Sequence, residues 1–218
     1  MYDYLKELNE PQLEAVINYN GASLVIAGAG SGKTRVLTYR IAHLLANNVP
    51  AYNILALTFT NKAAAEMKQR IAKMVGPDVA RNLWMGTFHS IFARILRIES
   101  AHLGYTSDFT IYDSIDSKST IKKIIKELNL DDKIYKPSEI YGRISSAKNN
   151  LVTAKAYSSN NHILIQDQKN NKARITDIFT MYANRCKKAN AMDFDDLLLN
   201  TNILFRDFPE VLAKYQNL

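Results

Sequence analysis

Three short apolar runs punctuate the first hundred residues: Ala22-Ser23-Leu24-Val25-Ile26, Ile54-Leu55-Ala56-Leu57-Thr58-Phe59 and Leu83-Trp84-Met85-Gly86-Thr87. Continuous apolar stretches of this length, bounded by polar or Gly-containing loops, fit strands covered on both faces. Each is followed by a stretch whose apolar residues recur every three to four positions, the spacing of an amphipathic helix. The pattern predicts a helix over 11–19, a strand over 22–27, a helix over 33–45, a strand over 54–59, a helix over 61–71, a strand over 83–87 and a helix over 88–101. Thr60 is a natural N-cap for the helix over 61–71, because its hydroxyl can accept from a free backbone N–H of the first turn. Strand, loop and helix repeated three times predict an α/β domain with an open parallel sheet, whose ligands bind at the carboxyl ends of the strands.

Beyond Gly104 the strand signal fades. Helical periodicity covers 114–128, 137–149 and 172–189, with turn signals at Asn129-Leu130-Asp131-Asp132 and at Ser158-Ser159-Asn160-Asn161. The segment 193–205 is again amphipathic, with Asp193 or Asp195 near its N-terminal cap. This organisation predicts an α/β domain over 1–107, an inserted and mainly helical subdomain over 108–190, and a return to the first domain over 191–218. No repeat of solenoid period and no long low-complexity tract interrupts it.

Composition narrows the class. The 218 residues are 47% hydrophobic and 22% charged, enough for a substantial core. The single cysteine, Cys186, excludes an internal disulfide, reads as inert, and with four histidines gives no zinc spacing. No apolar run approaches the roughly 20 residues needed to cross a bilayer and the N-terminus lacks a leader pattern, so the expected compartment is the cytoplasm. Net charge is +7. Residues 108–190 hold 15 Lys/Arg against 9 Asp/Glu, interleaved with Tyr112, Tyr135, Tyr141, Tyr157 and Tyr182. That distribution fits a polyanionic partner, and a solvated helical surface produces it as well.

The strongest chemical signal sits between the first strand and its helix, where residues 27–34 read AGAGSGKT. Glycines let backbone N–H groups approach phosphate oxygens, and the helix N-terminus that follows adds unpaired donors and a partial positive charge. Lys33 has the reach for the β and γ phosphates of a nucleoside triphosphate, and the Thr34 hydroxyl suits Mg²⁺; these two are the candidate catalytic residues. Ala27, Gly28, Ala29, Gly30, Ser31, Gly32, Lys33, Thr34 and the following Arg35 form the candidate nucleotide-binding set. Ala27 departs from the strict Walker A pattern, which has Gly there. The plain alternative is a Gly-rich strand-to-helix turn with a chance Lys-Thr.

Four further segments carry a family resemblance. Leu8-Asn9-Glu10-Pro11-Gln12-Leu13-Glu14-Ala15 resembles the Q motif of UvrD/Rep/PcrA-type superfamily 1 DNA helicases, with Gln12 at the position whose amide meets an adenine edge. Thr58-Phe59-Thr60-Asn61-Lys62-Ala63-Ala64-Ala65-Glu66-Met67 resembles motif Ia, and Gly86-Thr87-Phe88-His89-Ser90 resembles motif Ib. Met192-Asp193-Phe194-Asp195-Asp196-Leu197-Leu198 resembles the segment where that family's chain returns from its 1B insertion into domain 1A, and Ser145-Ser146-Ala147-Lys148-Asn149 matches the insertion itself. The resemblance implies a P-loop (RecA-like) domain 1A with an inserted subdomain 1B, ATP and Mg²⁺ as ligands, and translocation on single-stranded DNA, 3′ to 5′, with unwinding at single-strand/duplex junctions in repair or replication.

Under that resemblance Phe59 and Phe88 stack on unpaired bases, while Thr60, Asn61, Thr87 and His89 offer neutral hydrogen-bonding groups to phosphates and sugars. Each residue also has an ordinary reading: core packing for the phenylalanines, capping for Thr60, a locally bonded surface group for His89. Asp193, Asp195 and Asp196 read as helix-start acids favoured by the dipole, since nothing completes a metal cage. The family's acidic motif II and its γ-phosphate arginines would follow Leu218, so the chain is expected to be an N-terminal part that binds ATP and hardly hydrolyses it. Competing readings are the helicase portion of a recombination helicase-nuclease, a non-catalytic nucleic-acid-binding module and a small-molecule P-loop kinase. The kinase leaves the 58–67 and 86–90 segments without a role.

Overall fold

The computed structural model describes residues 3–217. It is an α/β structure with mostly helices and parallel strand pairs, and the chain divides into two compact units, one up to Ile91 and one over Phe92–Asn217.

In the first unit, α1 (Glu10–Ile17) and α2 (Lys33–Ala46) flank the Gly-rich loop, and β1 (Leu55–Thr58), α3 (Asn61–Val75), α4 (Pro77–Arg81) and β2 (Trp84–Thr87) form a strand-helix-strand crossover. β1 and β2 pair in parallel, Leu55 opposite Trp84 and Thr58 opposite Thr87, so their carboxyl ends lie side by side. Helix α3 sits between them in sequence because Thr60 caps it, accepting from the Ala63 N–H at 3.2 Å, and Gly76 stops it at φ +90°. Its Met67 and Ile71 bury with Ile41 of α2, Ile54, Ala56 of β1, Ala80 and Leu83. A smaller cluster, Leu5, Val16 and Val36, joins α1 to α2.

The expected strand over 22–27 is not one. Among the described residues, strand pairing in this unit is confined to β1 and β2, and 22–28 carry no ladder. A strand exists through hydrogen bonds to a neighbour, and apolar composition alone does not supply one. Leu24 and Ile26 are accordingly 87% and 89% exposed.

Helix α5 (Phe88–Ile98) carries the chain onward. The second unit holds β3 (Thr110–Tyr112), α6 (Ser114–Glu127), α7 (Pro137–Asn149), α8 (Ala154–Ser158), α9 (Asn161–Lys169), α10 (Ile175–Lys188), β4 (Ala191–Asp193), α11 (Phe194–Asp207) and α12 (Pro209–Gln216). Pro137 opens α7, where a missing N–H costs nothing. Its core is built from Ile121, Ile124 and Ile125 of α6, Ile140 and Ile144 of α7, Tyr157 of α8, and Ile178, Phe179 and Tyr182 of α10. β3 and β4 pair in parallel, Thr110 opposite Ala191 and Tyr112 opposite Asp193, so the chain leaves and re-enters at neighbouring positions around the helices between them. The helices α8 and α9 lie outside the sequence expectations. Each is short, and each starts at a side-chain cap, Thr153 and Asn160 respectively. Among the described residues no helix is long and apolar enough to cross a membrane.

Candidate functional site

The Gly-rich loop is bent by its glycines: Gly30 and Gly32 hold φ of +78° and +88°, where a side chain is strained. Ser31 closes the turn, its hydroxyl donating to the Gly28 carbonyl at 2.8 Å. Lys33 begins α2 and its ammonium folds back onto the Ala27 and Gly28 carbonyls at 2.9 and 2.7 Å. Gly28 and Gly30 leave open space where a Cβ would stand, and Lys33 and Thr34 are exposed. A helix N-terminus, an ammonium and unobstructed loop backbone thus converge, which is the donor set that a triphosphate requires.

Gln12 reaches this loop, in a way the sequence reading did not describe. Asn9 and Gln12 form a capping box on α1: Asn9 Oδ1 accepts from the Gln12 N–H at 3.0 Å, and Gln12 Oε1 accepts from the Asn9 N–H at 3.3 Å. Gln12 Nε2 then donates to the Ser31 carbonyl at 3.0 Å. A Cβ at Gly32 would press on that same amide nitrogen at 2.8 Å. The N-x-x-Q spacing was the available signal for the cap. Arg35, by contrast, is committed elsewhere in the unit. It donates to the Glu7 carbonyl at 2.9 Å and its carboxylate at 3.1 Å, and its guanidinium lies over the Tyr39 ring. Tyr39 donates to the same carboxylate, and that hydrogen bond is the largest cause raising the Tyr39 hydroxyl above its usual pKa. Ala27 and Ala29 contribute backbone only.

A second group gathers at the carboxyl ends of β1 and β2. Phe59 is 92% exposed, and its ring centroid lies 5.8 Å from that of Phe88, tilted by 41°. Thr58 donates to the Thr60 carbonyl at 3.1 Å, which fixes the turn that presents Phe59. Thr87 is buried and accepts from the Ser90 N–H at 3.3 Å, while Ser90 returns a bond to the Thr87 carbonyl at 2.9 Å. A Cβ at Gly86 would crowd the Ser90 hydroxyl and force it off the Thr87 carbonyl. Asn61 is exposed at the start of α3, and His89 is half-buried in the first turn of α5. The structure therefore brings together the aromatic pair and Thr60, while the hydroxyls of Thr60 and Thr87 are each engaged locally, one capping α3 and the other accepting from Ser90.

The second unit contains a charged knot with no sequence expectation behind it. Lys148 of α7 is 3% exposed, and its ammonium meets Asp193 Oδ2 and Asp196 Oδ1, each at 2.7 Å. Tyr182 donates to the same Asp193 oxygen at 2.8 Å, and Asp193 is also the N-cap of α11, accepting from the Asp196 N–H at 2.8 Å. Burial pushes both carboxyls up. Lys148 overcomes this for Asp193, holding it below the usual range, while Asp196 ends at about 6. Burial likewise pushes the neighbouring Cys186 thiol up to about 12, leaving it without thiolate character. The dipole reading of these aspartates describes the cap and omits the cation.

Comparison with known proteins follows the same segments. The UvrD/REP helicase N-terminal domain family matches residues 8–218. A protein of Leuconostoc citreum named ATP-dependent DNA helicase PcrA is 44% identical over 210 residues, covering 96% of this chain and 27% of its own length. Proteins of the same name from Bacillus subtilis (strain 168) and Staphylococcus aureus (strain Mu50 / ATCC 700699) are 46% and 45% identical, over 97% and 98% of this chain. Each of these two is covered over 28% of its own length, so the chain spans little more than a quarter of the relatives it matches.

Proposed function

Because this chain belongs to the UvrD/REP helicase N-terminal domain family, we propose that it is the ATP- and DNA-binding N-terminal part of a superfamily 1 DNA helicase. In the whole protein, ATP hydrolysis would drive 3′ to 5′ movement on single-stranded DNA and unwinding at junctions. Residues 1–107 and 191–218 belong to a P-loop domain 1A, and 108–190 to an inserted subdomain 1B. The parallel pairing of β3 with β4 brings the two ends of the insertion together, and both strands lie in the compact unit over Phe92–Asn217.

The observation that carries the reading is the convergence of Lys33, the α2 N-terminus and the open Gly28–Gly30 backbone, with Gln12 tied to the same loop. Lys33 turns from the loop carbonyls to the β and γ phosphates. The amides of the loop cradle the phosphate oxygens, and Gln12, one hydrogen bond from the loop, meets the adenine edge. Thr34, exposed in the first turn of α2, is the residue that would hold Mg²⁺, which supplies charge neutralisation between phosphates. Arg35, held by Glu7 and Tyr39, stands beside the loop and would act on the nucleotide only through the position of α2. Phe59 and Phe88 offer aromatic faces to unpaired bases, with Thr60, Asn61, Thr87 and His89 around them.

Lys33→Ala is expected to weaken ATP binding by roughly 1.5 to 3 kcal/mol through loss of a charge-assisted contact, with circular dichroism unchanged. Equal calorimetric affinity for a folded mutant and the parent would remove Lys33 from the site.

A further inference from the structure

The second unit carries a basic pocket that the proposed function leaves without a role. Its volume is about 330 Å³, and it is lined by Tyr112 of β3, Thr120 and Lys123 of α6, and Arg185, Lys188 and Ala189 at the end of α10. No carboxylate lines it. Arg185 is ion-paired with Glu127. Lys123 and Lys188 are exposed and make no hydrogen bond, ion pair or ring contact among the described residues.

A larger pocket in the same unit, about 550 Å³, shows how this chain treats cations it does not leave free. There Arg143 meets Asp167 at 3.1 Å and Lys172 meets Glu139 at 2.6 Å, and both carboxylates line the cavity. In the basic pocket Arg185 is compensated by Glu127, while Lys123 and Lys188 have no such partner among the described residues. The dipole at the α10 C-terminus accounts for Lys188 beside Arg185 and Lys187. It does not account for Lys123, which projects from the interior of α6 into the same concavity. Like charges lining one hollow repel each other and raise the local positive potential, an arrangement that favours an anion. Lys187 differs from its neighbours, since it is spent on the Leu103 and Gly104 carbonyls.

We propose that this pocket binds a backbone phosphate of DNA, a contact on the second unit additional to the Phe59/Phe88 group on the first. The choice of DNA over other polyanions rests on the helicase reading above. Lys123 and Lys188 supply charge, Arg185 a planar donor set, and the hydroxyls of Tyr112 and Thr120 neutral donors. The site has no bidentate amide for a base edge, so it recognises the backbone without regard to sequence.

The test compares the 218-residue parent with Lys123→Ala/Lys188→Ala and with a charge-matched control, Lys155→Ala/Lys169→Ala, whose lysines lie outside the pocket. Fluorescence anisotropy with labelled single-stranded and duplex oligonucleotides is measured across a salt series, with ATP affinity as a folding check. The pocket variant is expected to lose about tenfold in DNA affinity at low salt, and its plot of log affinity against log salt should flatten by about 1 per lysine. The control should stay near the parent. A parent that binds DNA no better than the pocket variant overturns the pocket, and so does an equal loss in the control, which would reduce the effect to net charge. A parent with no DNA affinity at all overturns the helicase reading itself, and the pocket assignment with it. If inorganic phosphate at the oligonucleotide's own phosphate concentration erases the parent's advantage, the pocket holds a free anion and the DNA assignment fails.

Discussion

Lys148 shows what a single buried charge demands of its surroundings. Two carboxylates face one ammonium, so one negative charge remains in excess, and the pair divides the burden unequally. Asp193 keeps its ionised form because it also accepts from Tyr182 and the Asp196 N–H, while Asp196 is pushed up to about 6. Lys148→Met should therefore destabilise the fold by about 3 to 5 kcal/mol at pH 7, as expected when one partner of a buried ion pair is removed. In that variant burial and mutual repulsion raise both carboxyls above their unfolded value. A raised carboxyl binds its proton more tightly when folded, so its contribution to stability is present at low pH and lost as pH rises through the folded value. The deficit against the parent should then keep growing as pH rises past about 6, where the parent's Asp196 has titrated and the variant's carboxyls have not, and shrink toward pH 4.5, as read by thermal melts. A gap that does not change with pH would show that Lys148 acts by packing alone. The cap was legible in the sequence and the cation was not, because Asp193 at a helix start needs no partner and Lys148 lies 45 residues earlier. Gln12 was legible as a position and not as a contact, since the bond to Ser31 depends on where two separate elements meet.

At the scale of elements, helices with long periodic patterns emerge close to where the sequence puts them: α7 is found at Pro137–Asn149 and α2 at Lys33–Ala46. Their boundaries were readable because caps and prolines are local signals. The 22–27 run was not, since a strand is defined by a neighbour, and α8, five residues long, is too short to show a helical period. The two strand ends carry the more consequential result. Core packing was the ordinary reading of Phe59, and its 92% exposure removes that reading, leaving the ring supported mainly by Phe88. Phe59→Ala should leave thermal stability within about 0.5 kcal/mol, the usual range for exposed positions. If a base stacks there, single-strand affinity should fall by about 1 to 3 kcal/mol with little dependence on base identity. Anisotropy titrations unchanged by the substitution would assign the ring to some other contact.

For the whole molecule, composition hinted at a polyanion through an excess of basic residues in 108–190, and the structure concentrates part of that excess in one hollow where Glu127 balances Arg185 and nothing among the described residues balances Lys123 and Lys188. Function is harder to read at this scale, because binding and turnover draw on different groups. Every residue proposed for the triphosphate, from Gly28 to Thr34 with Gln12, would hold the bound ground state, whereas acceleration requires groups that act more strongly on the transition state. An arginine acting on the transferring phosphoryl is worth roughly 10³ to 10⁵ in rate in P-loop enzymes. Arg35, which follows the loop, is bound to Glu7, and Arg40, which lines a pocket with Lys33, is bound to the Ala15 carbonyl and the Ser23 hydroxyl. The 218-residue chain is therefore expected to bind Mg-ATP, to release phosphate near the background rate, and to respond scarcely to single-stranded DNA. Phosphate release should be followed with and without DNA beside Lys33→Ala, which exposes contaminating ATPase. Robust DNA-stimulated release that disappears in Lys33→Ala would show that these residues suffice for turnover, and the division between holding groups here and accelerating groups elsewhere would have to be abandoned.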